Sequence, residues 1–285
     1  MNVQIKQWLG KYLLLSLFFV GCLISGMSTD LLAQHNVLGK PGYIFTPKGQ
    51  WSERPMASVG LVSIPQAHAI NHFMGRFSDE LMYHATVDVT PFLRINLNMT
   101  YLPQVPRIGI GDRHLDFSLR LLKEKEDTWR PDVSVFFTLP QLNSPADYLS
   151  HQAIVLTKNR KIHDSWEITG SLGYGVPVFW VGTEALDKNR EPLLPGFARK
   201  ERINNLYLTG LFGALQMSYQ NLGGFMLEHD GRGMHAGAFA NLWKERISLQ
   251  VNAYGLRHLG AGIHLNVPLD VKPRELRRLK TKAHE

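Results

Sequence analysis

Leu93-Arg94-Ile95-Asn96-Leu97-Asn98-Met99-Thr100-Tyr101 decides the architecture of this chain, because every odd position is apolar and every even one polar. A period of two puts those sets on opposite faces of an extended strand. Alone, such a strand could border any half-buried sheet. The pattern recurs, however, in Ile247-Ser248-Leu249-Gln250-Val251-Asn252-Ala253 and in Leu259-Gly260-Ala261-Gly262-Ile263-His264-Leu265-Asn266-Val267. Leu115-Asp116-Phe117-Ser118-Leu119-Arg120-Leu121 repeats it with charges on the polar side.

Working outward from these stretches predicts strands at 55–64, 82–90, 92–102, 113–123, 131–140, 150–160, 165–175, 211–219, 222–230, 233–243, 246–255 and 257–268. The alternation is broken in 55–64, 150–160 and 211–219. Four of the six odd-numbered connections are long (65–81, 103–112, 141–149 and 176–210), whereas the even ones are short. Long and short links alternate in barrels that cross an outer membrane, and Greek-key sandwiches mix them. The expected fold is all-β: a closed antiparallel up-and-down transmembrane β-barrel of about 12 strands spanning 55–269.

Composition narrows the alternatives. The mean hydropathy of −0.14 is far too polar for a helical membrane protein. Past the first segment no run approaches the ~20 apolar residues of a spanning helix. The formal net charge is +7, but the tail 271–285 alone holds six Lys or Arg against two Glu. The body is therefore nearly balanced, which argues against a nucleic-acid-binding face. The one cysteine, Cys22, lies in the N-terminal apolar stretch. Thiol catalysis and thiolate metal sites are thereby excluded from the rest, and no cofactor is expected.

Lys6 and Lys11 precede the apolar stretch 12–27, and Leu31-Leu32-Ala33-Gln34 follows. This order predicts a secretory signal peptide over 1–33 with cleavage after Ala33. A retained anchor helix and lipidation at Cys22 are the competing readings. Residues 34–54 are a Gly/Pro-rich lead-in, and 270–285 form a basic periplasmic tail in this scheme. Tyr83, Phe92, Tyr101, Trp129, Trp166, Tyr174, Tyr219, Trp243 and Tyr254 fall near strand ends, where aromatic rings suit membrane–water interfaces.

If the apolar parity meets lipid, the polar parity must line a lumen. His84, Asp88, Arg94, Asp116, Arg120, Asp132, Lys158, Glu167, Glu228 and His264 are the candidate lumen-lining residues. Arg or Lys facing lipid at the midplane costs about 2–4 kcal/mol. Unpaired charges in a narrow lumen are costly too, so opposite-sign pairing across strands is expected. Other chemistry is thin. His68 and His72 stand four apart but lie in a predicted loop, and Gly109-Ile110-Gly111-Asp112 is a turn rather than a dinucleotide fingerprint. His84 with Asp88, and Asp230 with His235, could be drawn as acid–base pairs, but no nucleophile elbow accompanies them.

Five segments resemble those of the YjbH-type (YjbH/GfcD-like) outer-membrane proteins. Gly39-Lys40-Pro41-Gly42-Tyr43-Ile44-Phe45-Thr46-Pro47 is similar to the family's opening, and 112–123 to its "DRSFDxKxRLL" segment. Val155-Leu156-Thr157-Lys158, Ser171-Leu172-Gly173-Tyr174-Gly175 and Leu227-Glu228-His229-Asp230-Gly231 follow in family order. Thr157 stands where Ser is usual and His229 where Tyr is, and the chain is much shorter than the longer members. The resemblance implies a non-enzymatic barrel of the bacterial outer membrane, encoded with exopolysaccharide or capsule genes and acting in polysaccharide export. Its partners would be membrane lipid, polysaccharide and export-complex proteins docked on the basic tail. Two destinations stay open for the lead-in: Gly39, Pro41, Gly42, Tyr43 and Pro47 form either a lumen plug or a periplasmic linker. A scaffold barrel of another envelope complex and a barrel hydrolase are the alternative functions.

Overall fold

The computed structural model describes residues 34–52, 54–70, 78–105, 110–125, 128–139, 150–180, 197–203, 207–243 and 245–269. The expected signal peptide, the basic tail and His72 lie outside them. The alternating stretches form strands β1 (Met56–Ile64), β2 (Glu80–Thr90), β3 (Leu93–Tyr101), β4 (Ile110–Leu122), β5 (Asp132–Thr138), β6 (Gln152–His163) and β7 (Trp166–Gly175). After them come β8 (Val178–Trp180), β9 (Phe197–Arg199), β10 (Gly210–Tyr219), β11 (Gly223–His229), β12 (Met234–Leu242), β13 (Ile247–Tyr254) and β14 (His258–Pro268).

Twelve of these strands close into one antiparallel barrel, each paired with its neighbours in chain order and β7 with β10. Closure is made by β1 on β14, from Met56 opposite Pro268 to Val62 opposite Gly262. That pairing removes the open edges that an isolated sheet would present. The remaining strands, β8 and β9, form a separate small hairpin in the 176–210 connection, which carries no alternation long enough to predict it.

Strand parity decides what each side chain meets. In β3, Arg94, Asn96, Asn98 and Thr100 are buried inside, while Leu97 and Tyr101 point out. The same division runs through β10, where Leu211, Leu215 and Met217 are exposed and Phe212, Ala214, Gln216 and Ser218 are buried. The barrel thus exposes a band of apolar residues on its outer face, as a membrane-spanning barrel does, while Val62, Ile64, Met82, Phe136 and Phe212 pack inside against residues 37–45. Both strand termini, Met56 and Pro268, lie at one end with the short turns, including Phe92 and Trp243. The longer connections gather at the other end. Of the strand-end aromatics, Trp166 packs on Tyr219 with ring centroids 5.1 Å apart, and Trp129 and Trp243 stand exposed. Tyr254 departs from that set. It lies on the even, inward parity of β13 and is fully buried, its hydroxyl donating to the Ser63 carbonyl at 3.1 Å.

Candidate functional site

Residues 34–49 lie inside the barrel, every one of them buried. The local sequence folds this segment back on itself. Bridges join His35 to Pro41 and Gly42 to Pro47, and the Asn36 side chain ties both turns. Its Oδ1 accepts from the Leu38 and Lys40 amides, each at 3.0 Å, and its Nδ2 donates to the Phe45 carbonyl at 2.8 Å. Gly39 adopts φ +68°, and a Cβ there would collide with the His84 ring, so glycine alone fits the first turn against β2.

The inward parity supplies the partners. Glu228 on β11 points at the second turn, where its carboxylate accepts from three successive amides: Ile44 (3.0 Å), Phe45 (2.7 Å) and Thr46 (3.2 Å). A run of backbone N–H groups converging on one anion is a nest, here built by the segment around the wall's own carboxylate. Lys40 forms a fully buried ion pair with Asp116 of β4, which also accepts from Thr138 (2.6 Å) and Asn98 (2.8 Å). Tyr43 reaches Ser171 of β7 at 2.9 Å, Lys48 donates to Gln216 at 2.7 Å, and the Gly49 amide donates to Thr157 at 2.7 Å. Trp51 closes the series, donating to Ser134 and lying 4.3 Å from the Arg94 guanidinium.

Most of the sequence-predicted lumen residues meet this segment or one another. Arg94 pairs with Asp88 across β2 and β3, and Arg120 holds Asp132 with Nε at 2.9 Å and Nη2 at 2.7 Å. His84 Nε2 lies 2.9 Å from His264 Nδ1, with the His35 ring packed against both. Glu167 is half-buried on the inward parity of β7, opposite Lys161 and within electrostatic reach of Lys48. Lys158 is a correction. Val155 and Thr157 are the inward residues of β6, so Lys158 takes the outward parity, half-buried at the rim. There it pairs with Glu124 at 2.6 Å and donates to the Lys125 carbonyl at 3.1 Å. Near a strand end both faces are wet, and a polar residue no longer reports which side is the lumen.

The two acid–base pairs drawn from sequence fare differently. His84 and Asp88 are not brought together, since Asp88 is taken by Arg94 and by the Met56 amide. Asp230 and His235 do meet at the loop-bearing end, 3.3 Å apart. His235 Nδ1 accepts from the Gly255 amide at 3.1 Å, so that nitrogen is fixed by a hydrogen bond while Nε2 stands beside the carboxylate. Burial pushes the Asp230 carboxyl up, but His235 and the Gly233 and Arg232 amides outweigh it and hold the group below the usual carboxylate range. The pair pins one turn to the next. His68 faces His258 at 3.3 Å in a 3-10 turn after β1. Among the described residues, no three His, Cys, Asp or Glu side chains are grouped to hold a metal ion.

Sequence reasoning missed Lys40, Lys48, Asn36 and Tyr207. Tyr207, just before β10, covers the segment from the loop-bearing end and donates from its hydroxyl to the Phe45 carbonyl at 3.2 Å. The amine of Lys200 donates to the Tyr207 carbonyl at 2.8 Å, and burial pushes that amine down to about 7. One signal was present. Asp116 faces Asn96 and Thr138 across the strands and Glu228 faces Ala214 and His235, so no Lys or Arg answers either carboxylate there, which left Lys40 and the 44–46 backbone to do so.

No protein-family profile matches this chain, and no curated protein matches it either. Among solved structures it is similar to an outer membrane channel from Pseudomonas putida F1, at 9% identity over 76% of this chain and 96% of that one, with a TM-score of 0.31. A likeness of that size carries no argument about this chain; its description rests on the closed twelve-strand barrel and its filled interior.

Proposed function

We propose that the chain spans the bacterial outer membrane as a non-enzymatic barrel stoppered by its own N-terminal segment, and that it serves export or surface assembly of extracellular polysaccharide. The observation that carries the first part is the inversion of the barrel. Apolar residues cover the outside, and the inside holds ion pairs and buried hydrogen-bonded polar groups, with an apolar cluster that packs on the buried hairpin 34–49. Water would oppose that outer face, whereas a bilayer's hydrocarbon favours it. The end with the short turns and both strand termini is then periplasmic.

The second part rests on the resemblance to YjbH-type proteins, and the geometry adds support. The five resembling segments are distant in sequence, yet they contain both sides of one interior network. Lys40 and the 44–46 amides come from the first, Asp116 from the second, Thr157 and Ser171 from the third and fourth, and Glu228 from the fifth. What these segments have in common is the docking of the plug. On this reading the basic tail 270–285 lies in the periplasm as a dock for export-complex proteins.

Single-channel recording on the refolded chain tests the plug. The intact protein is expected to hold its bilayer closed or nearly so, and removal of residues 34–51 to produce a larger, steady conductance. Equal conductance from both, with heat-modifiable gel migration showing that both barrels are folded, would sink the plug. For the polysaccharide role, deletion of the gene in its parent bacterium should lower surface polysaccharide while leaving its synthesis intact.

A further inference from the structure

The short-turn end holds a cleft of about 860 Å³ between the mouth of the barrel, the β4–β5 turn and the end of β6. One wall belongs to the lumen: Trp51, Arg120, Asp132 and Asn159. The other is the turn itself, with Lys125 and Trp129. Six Lys or Arg line the cleft against two acids, Glu124 and Asp132. Each acid is already engaged, Glu124 by Lys158 and Asp132 by Arg120. Among the described residues no carboxylate lies in ion-pair range of Lys125, Arg160 or Lys161. Glu126 and Asp127 of the same turn lie outside those residues, Glu167 stands opposite Lys161 across β6 and β7, and the six cations outnumber these five acids.

A second feature singles out the ligand. Trp129 is 88% exposed, standing bare at the edge of this cationic cleft. Exposed aromatic rings also serve as membrane-interface anchors, as suits Trp243 and Phe92 at the same end. The cleft, however, runs from the inward-facing Trp51, Arg120, Asp132 and Asn159 over the rim to Lys158 and Arg160 on the outward parity, and charged residues line both sides, so it belongs to the aqueous mouth rather than to the hydrocarbon. A soluble ligand entering it meets cations for its negative charges and a flat indole face. The apolar C–H face of a sugar ring stacks on such a plane, and low-dielectric walls focus the surplus positive charge on the sugar's carboxylates. The volume lies within the about 300–1,000 Å³ of typical ligand pockets, which suits a short run of sugar rings.

We infer that this periplasmic mouth binds a segment of acidic polysaccharide, with Trp129 stacking on a sugar ring and Lys125, Arg160 and Lys161 holding its carboxylates. The inference deepens the proposed function and rests on its reading of this end as the periplasmic mouth. The bound chain would stand directly beneath Trp51 and Gln50, where the plug segment leaves the barrel.

Calorimetry with tetragalacturonate on the refolded, heat-modifiable full-length protein tests it. Binding should weaken with salt, fall about tenfold or more in Lys125→Ala/Arg160→Ala/Lys161→Ala, and fall about fivefold in Trp129→Ala, with neutral maltotetraose not binding. Absence of binding by protein that keeps its heat-modifiable migration and closed lumen overturns the site and leaves the barrel standing. Loss of those two properties in the unaltered chain overturns both. Undiminished binding in Trp129→Ala, equal affinity for oligoglutamate, or displacement of the sugar by phosphatidylglycerol vesicles each overturns the carbohydrate assignment. Those results point instead to a bare anion site, an acidic-peptide dock and a lipid-headgroup site.

Discussion

Lys40 and Asp116 illustrate what a single residue contributes inside this barrel. Both are fully buried, and each answers the other's charge. Removing one partner strands the other, at a cost of about 3–5 kcal/mol. Lys40→Met should therefore lower the unfolding midpoint sharply, and Lys40→Met with Asp116→Leu should recover much of the loss. Denaturant titration in detergent micelles checks this; a single substitution costing no more than the double would show that the pair is not coupled. Lys200 gives a pH dependence of known sign. Its buried amine has its folded value lowered to about 7 from the ordinary 10.5. Folding thus favours the neutral amine, so the penalty is full below pH 7 and fades as pH rises from 7 toward 10.5. Relative to Lys200→Met, the unaltered protein should gain stability across that interval, and parallel melting curves for the two would contradict the assignment.

At the scale of elements, the N-terminal hairpin is the piece whose position matters most. Hydrogen bonds to a charged group contribute about 1.5–3 kcal/mol each, and Glu228 accepts three from consecutive amides. Glu228→Gln preserves shape but removes the charge that the nest encloses. Its expected effect is a looser segment in an intact barrel, read as tryptic cleavage after Lys48 under conditions where the unaltered protein resists. Resistance in both proteins would mean that the carboxylate does not hold the segment. The strands were readable in advance because parity is local: each residue's burial follows from its position along its own strand. Tyr254 obeys that parity rather than its aromatic character, and Lys158 shows where parity lapses, at a rim solvated on both sides.

For the whole molecule, the outer face is the decisive quantity. Leu97 and Leu215 sit mid-strand and exposed. In a bilayer, arginine at such positions costs about 2–4 kcal/mol, whereas on a water-facing surface it would be nearly neutral. Leu97→Arg with Leu215→Arg should abolish insertion into vesicles and the heat-modifiable band, and unchanged assembly would count against the membrane reading. Closure by β1 on β14 also belongs to this scale, since those strands stand at opposite ends of the barrel sequence.

Alternation by itself determined most of the barrel strands, the faces of their central residues and the all-β class, since a period of two needs no knowledge of distant residues. The destination of residues 34–51 and the partners of Asp116 and Glu228 were decided only by the tertiary structure. Gly39 to Pro47 can form its turns in a linker or in a lumen alike. What selects the lumen is the meeting of Lys40 and three backbone amides with carboxylates that lie between 76 and 184 positions away, and buried charge tolerates no other arrangement as well.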